Sequence, residues 1–544
     1  MLFQKIYLKG ENMKTKSKII GIITLLFAAG LYYYVALPAI NIHSADIWFF
    51  VLFLIAAAGV IYAVKNKIRR HEIRDSKVLK GIISLFVVLL AIYAVGTILS
   101  SPIVNAKKYQ SLLTVQEGEF TKDVEELSFD QIPILDKDSA IILGERKMGS
   151  MSDMVSQFEV DDSIYSQINY QDRPVRVSPV RYANIIKWFT NRSEGLPAYI
   201  MIDMASQTTS LVKLEEGMKY STSEHFGRNI YRHLRFHYPT YIFDELSFEI
   251  DEDGVPYWVA PVAKYNIGLF GGRTVGRVVL CNAITGETED YAIEDVPEWI
   301  DHAYSASLLI ELYDYYGSLK HGFINSVLSQ KDCLVTTNGY NYLAIDDDVW
   351  VYTGVTSVNS DQSNVGFVLM NQRTMETKYY KVEGAIEDSA MDSAEGQVQN
   401  LGYVATFPLL LNISGEPTYF IALKDDAGLV KKYAMVNVQK YQLVAIGDTV
   451  SQCEDAYNNL LFSSGIKEVA EDTREVLEIS GNITKIAQGV VNGNSHYFIM
   501  VEGSEEIFDV SVVDYIDIIR YEIGDEVTME YKEGEKTNTV LSVK

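Results

Sequence analysis

The chain opens on three long apolar runs, Ile19–Ile40, Ile47–Val64 and Ile82–Val104, separated by short polar gaps. Each is about the length a helix needs to cross roughly 30 Å of hydrocarbon. The gap between the first and second runs holds no Lys or Arg. The gap between the second and third holds Lys65, Lys67, Arg69, Arg70, Arg74, Lys77 and Lys80, and the N-terminus holds Lys5, Lys9, Lys14, Lys16 and Lys18. Basic loops stay on the cytoplasmic side, so the pattern predicts three membrane spans with a cytoplasmic N-terminus and everything after Val104 outside. No ionisable residue lies well inside any span, which predicts an anchor and not a transport path. The small residues Ala28-Ala29-Gly30 and Ala56-Ala57-Ala58-Gly59 suit close helix packing, within the chain or in a homo-oligomer.

After Val104 the pattern changes. Residues 105–165 mix short apolar runs with charge and read as a membrane-proximal segment, first helical, then a short strand near Ser139–Leu143. Residues 166–465 hold β-rich runs broken by Gly, Pro and Asp, each group of strands followed by a helix-length stretch. The pattern Gly-x-Pro-x-aromatic-apolar occurs at Gly195, Gly254 and Gly415. A longer match begins at Val279-Leu280-x-Asn282 and returns at Val368-Leu369-x-Asn371, each copy reading as strand, polar turn, strand. Helix candidates follow near Glu224–Phe236, Trp299–Tyr316, Asp388–Leu401 and Thr449–Leu461. The predicted unit is a small antiparallel sheet covered on one face by a helix, repeated about four times. Residues 475–544 read separately, as five strands with a short helix between the third and fourth, an OB-like all-β barrel.

Charge divides at the same place. Residues 1–104 carry 12 basic and 4 acidic side chains, which leaves 35 basic against 68 acidic beyond them. Such an ectodomain repels nucleic acid on average, and the barrel, with 5 basic and 14 acidic residues, lacks the basic groove that single strands require. No nucleic-acid role is expected. Three cysteines, Cys281, Cys333 and Cys453, are too few and too scattered for a disulfide framework and are expected as buried apolar thiols.

Candidate chemistry is sparse. His225, His233 and His237 have spacing that can hold a metal, but Arg232 and Arg235 flank them, so no metal is expected. The acidic runs Glu249–Gly254 and Asp346–Asp348 lack calcium-loop spacing and are expected as solvated turns. No nucleophile motif and no phosphate loop occurs, so no catalytic residue and no cofactor are assigned. The local exception to the acidic field is a cluster of arginines. Arg228, Arg232 and Arg235, spaced to share one helix face, together with Arg181 and Arg192, form the candidate anion or partner contact.

Residues 165–465 resemble the small PepSY-type module of bacterial envelope proteins. The segments Ile186-Lys-Trp-Phe189, Phe248-Glu-Ile-Asp251 with Gly254-Val-Pro-Tyr-Trp258, and Tyr352-Thr-Gly-Val-Thr-Ser357 make the chain similar to a family of Gram-positive membrane-anchored proteins. That resemblance implies an anchor and repeated modules but no activity. The expected function is a non-catalytic envelope protein at the outer face of the plasma membrane, binding envelope proteins or peptides. The alternatives are a regulator or inhibitor of an envelope protease or wall enzyme, and an envelope hydrolase.

Overall fold

The apolar runs fold as α1 (Gly21–Ala36), α2 (Ala45–Lys65) and α3 (Lys77–Ser100) in the computed structural model. The structure describes residues 21–68, 76–126, 132–345, 347–358, 363–466, 476–491, 494–504, 506–512, 515–532 and 537–544. Ser44 and Ser76 cap the N-termini of α2 and α3 through their hydroxyls. Two of the helices, α2 and α3, are long and apolar enough to cross a bilayer. Their most apolar 18-residue windows are only 11% and 0% buried in the protein. The first run ends as helix at Ala36, before the predicted Ile40, because Pro38 forces Leu37 out of helical geometry. The third ends at Ser100, and Pro102 starts α4 (Pro102–Gln110). Tyr32 of α1 stacks on Phe50 and Phe53 of α2, and Gly59 of α2 lets Leu79 and Ile82 of α3 approach. Gly30, by contrast, faces open space.

Four larger sheets, antiparallel but for one edge strand, follow among the described residues. The first joins Phe158–Val160, Ser166–Asn169, Pro174–Tyr182, Leu196–Asp203 and Thr209–Met218. The second joins Ser247–Ile250, Pro256–Ile267, Gly271–Asn282 and Thr288–Ala292. The third is built on Asp348–Ser357, Gly366–Asn371 and Thr377–Tyr380, with Gln116–Gly118 added in parallel at its edge. The fourth is built on Leu409–Ile413, Glu416–Lys424, Val430–Asn437 and Val444–Gly447. A helix follows each sheet: Ile230–His237, Ala306–Ser318, Glu387–Gln397 and Val450–Ser463.

The middle sheets are apolar on both faces because both are covered. In the second, Trp258, Ala260, Val279 and Cys281 join one core with the first sheet. The alternate residues Val259, Val278 and Leu280 join another, with the helix Ala306–Ser318 and Val351, Val355, Val368 and Met370 of the third sheet. On the far face of the third sheet, Phe367 meets Tyr419 of the fourth at 5.8 Å.

The sequence match at Asn282 and Asn371 is one turn built twice. Asn282 Oδ1 accepts from the amides of Ile284 and Thr285, and Asn371 Oδ1 from those of Arg373 and Thr374. The first sheet makes the same turn without the matching letters: Asp203 Oδ1 accepts from the amides of Ala205 and Ser206. The glycines of the Gly-x-Pro pattern have φ of +84°, +78° and +78° at Gly195, Gly254 and Gly415, which is why glycine recurs there.

One expected strand is a helix. Ser139–Leu143 is not a strand but part of a helix, Lys137–Gly149, because the Asp136 carboxylate caps it through the Ser139 amide.

The chain separates into units 1–453 and 454–544. The second contains a closed five-stranded barrel: Leu477–Val491, Asn494–Val501, Phe508–Ser511, Glu526–Lys532 and Asn538–Val543, with Ile516–Arg520 as a 3₁₀ turn. Numbered along the chain, the strands close in the order 1-2-3-5-4, with the third and fifth parallel, as an OB-like barrel requires. Its interior is Ile483, Ile499, Phe508, Val510, Val527 and Met529.

Candidate functional site

The sheets meet the apolar helices through a polar junction. Arg235 Nε donates to Leu37 O at 2.9 Å, just past the C-terminus of α1, and its Nη1 reaches Tyr238 O and Tyr241 O. Arg232 Nε donates to Tyr34 O, with its guanidinium 4.3 Å above the Tyr34 ring. Cations at a helix C-terminus meet its unpaired carbonyls, which explains the choice of arginine here. The Ile40 amide donates to Pro239 O and Asn41 Nδ2 to Thr240 O. At α3, Ser100 Oγ accepts from the Leu269 and Phe270 amides, and Tyr109 Oη donates to Ser100 O at 2.7 Å.

The five arginines singled out by the sequence therefore serve different places. Arg228 lies outside the helix Ile230–His237, in the 3₁₀ turn Phe226–Arg228, so the three do not share one helix face. It donates to Arg192 O, and Arg192 stands 4.8 Å over the Phe189 ring. Arg181 pairs with Glu159 and Asp162 at 3.4 Å, on exposed surface where such pairs contribute little. Arg235 is buried and hydrogen-bonded to carbonyls.

A second constellation escaped the sequence reading. Glu249 and Asp301 are both buried, at 0% and 1% exposure, where the first three sheets meet. Glu249 Oε2 accepts from the Asp301 amide; its Oε1 accepts from the His302 amide and the Ser247 hydroxyl. Asp301 Oδ2 accepts from the Asn169 amide, and Oδ1 has no partner. Burial, with the Glu249 carboxylate beside it, pushes the Asp301 carboxyl well above the usual carboxylate range. His302 Nε2 faces Gln167 O at 2.7 Å and so donates; Nδ1 accepts from Gln372 Nε2 at 3.2 Å. Strand 247–250, the loop at 301–302, strand 166–169 and the turn at 372 are thus tied by one network.

Glu249 and Asp348 overturn the expectation that both acidic runs are solvated turns. Asp348 is 6% exposed and makes a two-pronged ion pair with Arg373 at 2.6 and 2.8 Å. Asp251 does cap a turn, through the amides of Asp253 and Val255.

Beside this network lies a cleft of about 340 Å³ lined by Lys122, Asp123, Glu125, Glu126, Asp172 and Asp347 among others. A tight hairpin with positive φ at Gln171 and Asp172 sets Asp172 at its edge. Lys122 is paired with Glu119. Burial, then the Asp172 and Asp348 carboxylates, raise the Asp347 carboxyl above its ordinary range.

The histidines do not converge on a ligand. His233 Nε2 meets Gly286 O, His237 Nδ1 meets His233 O, and His225 lies edge-on to Trp188. Among the described residues no group of His, Cys, Asp and Glu is arranged to hold a metal ion. The three cysteines are buried and unbridged, and burial pushes the Cys281 thiol up to about 12. Compared with known proteins, the chain matches no family model and no curated protein at a significant level.

Proposed function

We propose that this protein is a membrane-anchored extracytoplasmic binding protein, which holds a cationic segment of an envelope partner against the outer face of the membrane. The observation that carries the reading is the polar junction. Arg235, Asn41, Ser100 and Tyr109 fix the sheets at the end of the helices where α1 ends, α2 begins and α3 ends. Lys65 and Lys67, at the end of α2, and Lys77 and Lys80, at the start of α3, belong to the opposite end. Three spans with the sheets outside and the basic loop inside satisfy both facts at once. The partner's chemistry follows from the acidic cleft and from the excess of 68 acidic over 35 basic residues beyond position 104.

Topology is tested with a membrane-impermeant maleimide, since the native thiols are buried. Asp426→Cys should react in intact cells and Lys67→Cys only after permeabilisation; the reverse order would sink the orientation. Partner binding is tested by crosslinking and affinity capture from intact membranes. The double charge reversal Glu125→Lys with Asp172→Lys, both exposed cleft residues, should lose the captured partner. Recovery of the same partner in equal yield would remove the cleft from the mechanism.

A further inference from the structure

A short helix, Ile185–Asn191, turns its apolar side outward. Ile185, Ile186 and Phe189 are 58%, 69% and 62% exposed, and Phe226 beside them is 65% exposed. A soluble surface seldom gathers four such side chains, and two features show that these are held in place. The helix is pinned from below by Trp188, whose Nε1 donates to the buried Glu224 carboxylate at 2.8 Å, which also accepts from Tyr182 Oη. Phe226 sits at φ +53°, a left-handed conformation strained for a bulky residue, and so its ring is presented at the surface against backbone preference. Its ring lies 6.0 Å from that of Trp188.

The patch is continuous with the end of α1. Arg232, which donates to Phe226 O at 2.7 Å, also donates to Tyr34 O near the C-terminus of α1. Phe236 is half exposed and lies 6.1 Å from Tyr33 of the same helix. Lys187, Arg192, Arg228 and Arg232 are interleaved with these apolar groups. Apolar side chains ringed by cations, at the level where an apolar helix ends, match a bilayer interface with anionic head groups.

We infer that Ile185, Ile186, Phe189 and Phe226 dip into the outer interface of the bilayer, with Arg192 and Arg228 at anionic head groups, so that the sheet domain is held to the membrane at a second point beyond its helices. This rests on the reading of α1–α3 as membrane spans, and the experiment separates the two. Nitroxide labels at Ile186→Cys and Phe189→Cys are compared with labels at Val87→Cys, on the exposed side of α3, and at Asp426→Cys, in the full chain in phosphatidylglycerol–phosphatidylcholine nanodiscs.

Labels at 186, 189 and 87 should collide with oxygen over a water-soluble nickel chelate at a ratio about threefold or more above that at 426, as labels in an interface do. A lipid-like label at 87 with water-like labels at 186 and 189 overturns this inference and leaves the anchor standing. Water-like labels at all three positions overturn both. Spin–spin broadening at 186 or 189 would put a second copy of the chain on the patch and overturn the lipid assignment.

Discussion

Replacing Glu249 with alanine should lower the stability of the sheet domain by about 3 kcal/mol, the sum of leaving several buried donors unpaired. The carboxylate accepts from two backbone amides, those of Asp301 and His302, and from the Ser247 hydroxyl, and the side chain is fully buried. Relief of the repulsion on Asp301 offsets part of the loss. Thermal unfolding of the detergent-solubilised chain, followed by tryptophan fluorescence, reads it as a midpoint lower by several degrees. An unchanged midpoint would mean that the network does not join the sheets.

The same site gives a pH dependence whose sign is fixed. Asp301 has its folded pKa raised above the unfolded value near 3.8. Between those two values the native state binds more protons than the unfolded state, so the stability this group leaves intact at acid pH is lost as pH rises through its folded pKa. Asp301→Asn removes that loss. The variant should therefore gain stability relative to the parent as pH rises from about 4 toward neutrality, since the penalty on a buried carboxylate grows over that window. Asp347 contributes in the same direction and Asp136, lowered against its burial chiefly by its hydrogen bond with Lys424, in the opposite one. The difference between variant and parent cancels the Asp136 contribution and the part of the Asp347 contribution that does not depend on Asp301.

Arg235→Ala should cost about 3 kcal/mol as well, and it should act at a distance from the sheets' own core. The guanidinium holds three carbonyls, at Leu37, Tyr238 and Tyr241, and stands 5.6 Å from the Phe243 ring. Without it, the segment between α1 and α2 is tied to the sheets, among the described residues, by its bonds to Pro239, Thr240 and Leu269. Hydrogen–deuterium exchange should rise about tenfold or more in the peptide spanning 37–44, corresponding to local opening made easier by 1.4 kcal/mol or more. Arg235→Lys should recover little, since one ammonium cannot span carbonyls that a planar fork reaches together. Unaltered exchange in Arg235→Ala would show that the junction does not depend on this residue.

What could be read from the order of residues follows from periodicity. The apolar runs, the strand groups, the helix after each group and the barrel strands all announce themselves because side-chain spacing of 2 or 3.6 is a local property. The Asn282 and Asn371 turns were legible for the same reason: an Asx side chain bonds amides two and three residues on. The first sheet's copy was hidden because Asp203 accepts the same bonds from Ala205 and Ser206, and Gln207 takes the positive φ, with different letters.

The helix at Lys137–Gly149 reads as a strand because its apolar stretch, Ala140–Leu143, is short, and what makes it a helix is the cap at Asp136. Glu249 was the harder case. In sequence it is the first of an acidic run ahead of a glycine turn. Only the meeting of three sheets puts it at 0% exposure while Asp251, two residues on, stays at the surface. The arginines show the same division. Their residue type and clustering were visible, but whether each meets a carbonyl, a carboxylate or an aromatic ring depends on what the fold brings from far along the chain: Leu37 for Arg235, Glu159 for Arg181. By itself the sequence determined most of the elements, their order and the sign of the charge, because these are set within a few residues. The tertiary structure decided which charges are buried, which cap the helices and which face outward, because desolvation depends on neighbours hundreds of positions away.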